Sequence, residues 1–231
     1  MDSSHAHQAA QECLSAIVPV YISSAKSPKG LDKLQQLLET FMGCLVNSPA
    51  QRRFQLANAF VKAVHGVEGT WKLILLLHKQ SIDSSTKHVS NEWEVHLAEE
   101  LCQSSTWSDA LTTLKNLIQN AHSMQSKSNM KLRKCLLKFV ASQLKSDFAE
   151  EGVNETVSEE ASKSIPASYE LILHCTMQWL SDKGTVLDTN EDASLTKILQ
   201  LLQELMPPAT FLSSITSLLE GGNSVLQKKT L

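Results

Sequence analysis

Residues 31–46 read LDKLQQLLETFMGCLV. Leu31, Leu34, Leu37, Leu38, Phe41, Met42 and Leu45 recur at steps of three and four. That is the period of an α-helix with one apolar face; a half-buried strand would alternate at steps of two. The stretch is also cleanly punctuated. Ser27-Pro28-Lys29-Gly30 breaks the chain before it, and Asn47-Ser48-Pro49 ends it. Ser48 is placed to cap the next helix, with Pro49 at its first position.

The same grammar extends in both directions. Upstream, Ala9, Ala10, Cys13, Leu14, Ile17 and Val18 form a helical face within residues 5–22, and Pro19 should kink or split that helix. Downstream, Phe54, Ala57, Phe60, Val61 and Val64 give a third helix, with Gly66 and Gly69 at its exit. The fourth, from Trp71 to near Ile82, is apolar nearly all round at its centre, so it should be buried on several sides. A polar stretch from Asp83 to Ser90 follows. Leu97 and Leu101 mark the fifth helix, Ser104-Ser105-Thr106 breaks it, and Leu111, Leu114, Leu117 and Ile118 mark the sixth. A serine-rich joint at 123–128 leads to the seventh, with Leu132, Cys135, Leu136, Phe139, Val140 and Leu144. An eighth helix begins near Pro166, and Lys183-Gly184 reads as its stop. The ninth carries Leu195, Ile198, Leu202 and Leu205, with Asp192 or Ser194 near its cap, and Pro207-Pro208 stops it. Phe211, Leu212, Ile215, Leu218 and Leu219 mark the tenth.

About ten helices, paired, give units of roughly 35–45 residues, the period of helical-hairpin repeats. The stretch AAQECLSAIVP at 9–19 resembles a helix of the armadillo or HEAT type, with small residues, a Cys-Leu pair and a proline. The tetratricopeptide and ankyrin patterns are absent. The resemblance implies an all-α solenoid of stacked helical hairpins; the alternative is an irregular compact helical bundle. Residues 1–148 read as the repeat region. Residues 149–164, acidic and poor in large apolar side chains, read as a flexible loop or linker. Helices in 165–222 should pack on the same array, and 223–231 form a loose tail. Residues 5–22 already look core-facing, so the chain reads as a fragment or isoform of a longer solenoid, which would self-associate through its uncovered ends.

Composition agrees. The chain has 231 residues, 42% hydrophobic, 19% charged and 5% aromatic, with 34 Leu, 8 Gly and 6 Pro. That is too apolar for a disordered chain and too poor in aromatics and turns for a β-sandwich. The longest apolar run, Leu73 to Leu77, falls far short of the ~20 residues that span a bilayer. No secretory signal is readable at the N-terminus. Cys13, Cys44, Cys102, Cys135 and Cys175 are odd in number and scattered among leucines, so they read as reduced core thiols in the cytoplasm or nucleus. The sequon at Asn154 should then stay unmodified.

Catalytic signals are missing. The chain has no GxSxG, no phosphate-cradling glycine loop and no HExxH. His88, Glu92 and His96 share a helical face, but i to i+8 spans ~12 Å, so one helix cannot close all three on a metal. His5 and His7 read as surface. Cys135 follows Arg133-Lys134, which would depress its pKa, but its place on the apolar face opposes that. No enzyme, cofactor or metal site is expected.

What remains is surface. Lys127, Lys131, Arg133, Lys134, Lys138 and Lys145 are six bases with no acid between them. Asp147, Glu150, Glu151, Glu155, Glu159 and Glu160 are then six acids with no base between them. The basic run is a candidate face for an acidic protein partner or for phosphates; the bland alternative is a solvated helix side. No aromatic interleaves it as a stacking platform. Trp71 and Trp179 read as core, while Trp93 and Trp107, near polar breaks, are candidate exposed anchors. Ser27-Pro28 and Ser48-Pro49 fit proline-directed phosphorylation but also serve as helix punctuation. The leading expectation is a non-enzymatic scaffold or adaptor that holds a partner helix or peptide. The alternative is a nucleic-acid-associated helical domain using 127–145, and no membrane role is expected.

Overall fold

A computed structural model describes Gln8 and residues 12–14, 16–20, 28–64, 67–85, 92–124, 126–146, 149, 159–181 and 188–220. Every regular element among them is helical. The helices are α1 (Pro28–Val46), α2 (Ala50–Ala63), α3 (Val67–Ser85), α4 (Trp93–Gln103), α5 (Trp107–Ser123), α6 (Met130–Leu144), α7 (Glu159–Ser181), α8 (Thr189–Leu205) and α9 (Pro208–Glu220). A 3-10 turn, Lys127–Asn129, leads into α6. Residues 12–14 and 16–20 are helical too, and helical geometry continues through Pro19.

The chain divides into two compact units, Met1–Ser104 and Ser105–Leu231. The division falls at the Ser104-Ser105-Thr106 break. Thr106 is extended and its hydroxyl accepts from the Asp109 N–H, which caps α5.

In the first unit α3 packs most heavily on α4, α2 lies against both, and α1 reaches α3. Leu73, Ile74 and Leu77 of α3 are fully buried, as its all-round apolar centre requires. Phe60 of α2 stacks on Phe41 of α1 at 4.1 Å between ring centroids. Gly69 sits inside α3, not between helices as the sequence suggested. A Cβ there would lie 2.9 Å from the Val64 Cβ, so glycine is what allows α3 to press on the end of α2.

In the second unit α5 packs on α6 and α7, α6 on α8, and α7 on α8 and α9. The heaviest packing is α5 on α7 and α6 on α8; α5 on α6, α7 on α8 and α9 on α7 follow. Trp107 and His122, early and late in α5, meet Tyr169, midway along α7, and Trp179, near its end. The two helices therefore run in the same direction, as equivalent members of successive hairpins do. The starts of α1, α3 and α5 fall at Pro28, Val67 and Trp107, close to the expected repeat length. The fold is an all-α stack of helical hairpins. Each buried leucine on a seam contributes ~1.5–3 kcal/mol, so the seams dominate stability.

Several boundaries differ from the sequence reading. The N-cap of α2 is Pro49, and Ser48 instead donates its hydroxyl to the Cys44 carbonyl. Helix α7 begins at Glu159 and carries Pro166 internally. Helix α8 is capped by Asp188, upstream of the residues the sequence suggested. Of the 149–164 segment, Ala149 is buried and 159–164 are helical, while 150–158 lie outside the described residues. So do 223–231, Ser27, His5, His7, His88, Asn154 and Lys183-Gly184.

Candidate interaction surfaces

The basic run on α6 separates into two groups. Arg133 points inward and is 4% exposed. Its Nε and Nη2 donate to the two carboxylate oxygens of Glu191 at 2.8 and 2.7 Å, a bidentate pair, and Nη1 donates to the Met124 carbonyl at 3.3 Å. The guanidinium also lies 5.6 Å from the Trp179 ring centroid. Lys134 pairs with Asp188. Its ammonium, with the Glu191 and Asn190 backbone N–H groups, holds the Asp188 carboxyl below the usual range. Arg133 is therefore buried away from any partner-binding face, contrary to the sequence reading, while Lys134 is half-buried with its charge paired. The reason lies 54 and 58 residues downstream, where α8 and its N-cap supply the acids. Lys131, Lys138 and Lys145 are exposed. The Lys127 side chain lies outside the described residues.

Glu191 has a second role. It sits at the third helical position of α8 and accepts from the Asp188 N–H at 3.3 Å, while Asp188 accepts from the Glu191 N–H at 3.0 Å. This is a capping box. The Asp188-x-x-Glu191 spacing was legible in the sequence; its coupling to Arg133 was not.

Neither tryptophan stands as a free anchor. Trp107 is 1% exposed, and its indole N–H donates to the Tyr169 hydroxyl at 2.9 Å. It is core, because the break beside it is a tight cap that turns the ring inward. Trp93 is half-buried under the Arg53 guanidinium, 4.0 Å from the ring centroid. Arg53 also donates to the carbonyls of Leu45, Val46 and Ser48 at 3.2, 3.4 and 3.1 Å, so it closes the C-terminal end of α1. Glu94 is buried beside it. Burial pushes its carboxyl up, against the pull of its own backbone N–H and of Arg53. This Arg53 cluster joins α1, α2 and α4, and no sequence motif announced it.

Two grooves open on the odd-numbered helices. One, about 530 Å³, lies between α7 and α9, lined by Glu170, Leu171 and His174 on one side and Ser213, Ser217 and Leu218 on the other. The second, about 400 Å³, lies between α1 and α3 and includes Met42, Val46, Leu76 and Lys79. Leu171 is 48% exposed, and Leu212 is 63% exposed although the sequence placed it on the apolar face of its helix. Val46 is also exposed.

Burial pushes the Cys135 thiol up, against the pull of Lys138, so it lacks the thiolate character of a nucleophile. All five cysteines are free; Cys102 and Cys175 are buried, but Cys13 and Cys44 are exposed, which corrects their assignment to the core. Glu92 and His96 are exposed, and among the described residues no three metal-ligating side chains gather. Nor is any described helix long and apolar enough to cross a membrane.

Comparison with known proteins agrees with this geometry. No match was found among curated proteins or among solved structures. A family model described as HEATR1-like, HEAT repeats, matches residues 31–218, which spans every helix from α1 into α9. The stacked hairpins are thus HEAT repeats, and the chain belongs to the HEATR1-like HEAT-repeat family.

Proposed function

We propose that the chain is a non-enzymatic interaction scaffold or adaptor that receives a partner helix or extended peptide on its odd-numbered helices. The observation that carries this reading is the placing of the two grooves. Both lie between successive odd helices, and both mix exposed apolar side chains with hydrogen-bonding groups. Such a mixture suits a segment that is anchored by a few side chains and oriented by polar contacts. Stacked repeats supply long surfaces of this kind without a deep pocket. The scattered free cysteines fit work in the cytoplasm or nucleus.

Val46→Glu and Leu171→Glu place a charge in each groove at side chains already exposed to solvent. Partners that co-purify with the wild-type chain should be lost from one or both variants, while the thermal melting curve is unchanged. Retention of all partners by the double variant, or turnover of a small molecule by the purified chain, would defeat the reading.

A further inference from the structure

We propose that the outer side of α6 docks an acidic helix of a partner protein, one whose carboxylates recur every seven residues. The proposal rests on the reading of the chain as a protein-interaction module and uses a different surface from the grooves.

Lys131, Lys138 and Lys145 are all exposed and stand seven residues apart. At 1.5 Å rise per residue, they form one row with steps of ~10.5 Å. Between them lie Cys135, half-buried, and Ser142, exposed. Positions 131, 135, 138, 142 and 145 follow the four-three spacing of a helix-packing seam. Their alternation is long base, small residue, long base, small residue, long base. The Lys138 charge reaches the Cys135 thiol, so the two share that side of the helix. Small side chains let a second helix approach closely; the lysines then reach past it to acids on its flanks.

Charge selects the partner. Helix α6 carries no acid. Arg133 and Lys134, the other bases of α6, are held by Glu191 and Asp188, so among the described residues the free charge is a single row and not a broad patch. A partner helix with Asp or Glu at seven-residue steps repeats at the same ~10.5 Å and is commensurate with the row. A duplex backbone presents one charge per ~1.7 Å of axis, far denser than three lysines in line can match. Phe139, the aromatic of this helix, is buried, so the row offers no platform for stacking bases.

The test uses the full chain and a fluorescent synthetic helix with Glu at every seventh position and alanines between. Fluorescence anisotropy should show binding that weakens about tenfold between low and moderate salt. Lys131→Gln, Lys138→Gln and Lys145→Gln together should weaken it about tenfold, three exposed pairs being involved, and the matching Glu triple should weaken it further. Lys62→Glu, an exposed lysine on α2, should leave it unchanged. A peptide of the same composition with its Glu residues out of register should bind several-fold less tightly. The proposal is overturned if the scrambled peptide binds equally, if the folded triple variants bind like wild type, or if single-stranded RNA of similar length binds more tightly through the same lysines. Failure of the wild-type chain to bind the peptide, with groove-dependent partners retained, would remove the inference and leave the scaffold reading standing.

Discussion

His78 lies in α3 and is 4% exposed; burial alone pushes its pKa from 6.5 down to about 4. The folded chain therefore refuses a proton that the unfolded chain accepts. Stability from this residue is fully present above pH 6.5 and is lost as pH falls toward 4, in full about 3 kcal/mol. About 2 kcal/mol of that should be gone by pH 5. His78→Gln should flatten this part of the profile, read as the difference between wild type and variant in urea unfolding at pH 7.5 and 5. An unchanged difference between the two pH values would show that the imidazole does not titrate as described. Glu94 acts with the opposite sign, because its carboxyl is pushed up: its protonation stabilises the fold, and that stability fades as pH rises.

At the scale of elements, the joint between α6 and α8 is the main electrostatic contact of its unit. Arg133 and Glu191 are both nearly inaccessible, at 4% and 0% exposure. Removing one partner strands a buried charge, so Arg133→Ala or Glu191→Ala should each cost about 3–5 kcal/mol in denaturant unfolding. Replacing both together, Arg133→Met with Glu191→Leu, should recover most of that loss, because the desolvation of two charges disappears along with their attraction. A double variant no better than the singles would mean that the pair itself, and not the stranded charge, supplies the stability. This joint also explains why the basic run was only half legible. Charge spacing grouped the six bases in one run, but which of them face solvent depended on Glu191 of α8 and on its cap, Asp188.

Whole-molecule behaviour follows from the division at Ser104. In stacked repeats, stability is approximately a sum over each repeat and its neighbours. Gly69→Val forces a branched side chain into a place where even a Cβ lies 2.9 Å from Val64. The overpacking should cost about 1–3 kcal/mol, partly offset by glycine's poor helix propensity. Hydrogen exchange should then speed up in α2, α3 and α4 and stay near wild-type rates in α6 and α8. Arg133→Ala should give the reverse pattern. Uniform acceleration across all helices in either variant would show one cooperative unit instead of two.

The sequence by itself determined the elements and their class. Leucine spacing and the serine and proline breaks were enough for an all-helical stack of hairpins of the right repeat length, since these depend on local periodicity and capping. Seams and surfaces were decided only by the tertiary structure. Trp107 turned inward, Trp93 was covered by Arg53, Leu171 and Leu212 were left at the surface, and Arg133 found Glu191. Whether a side chain on a helix meets solvent depends on which other helices lie against it, and those neighbours come from distant parts of the chain.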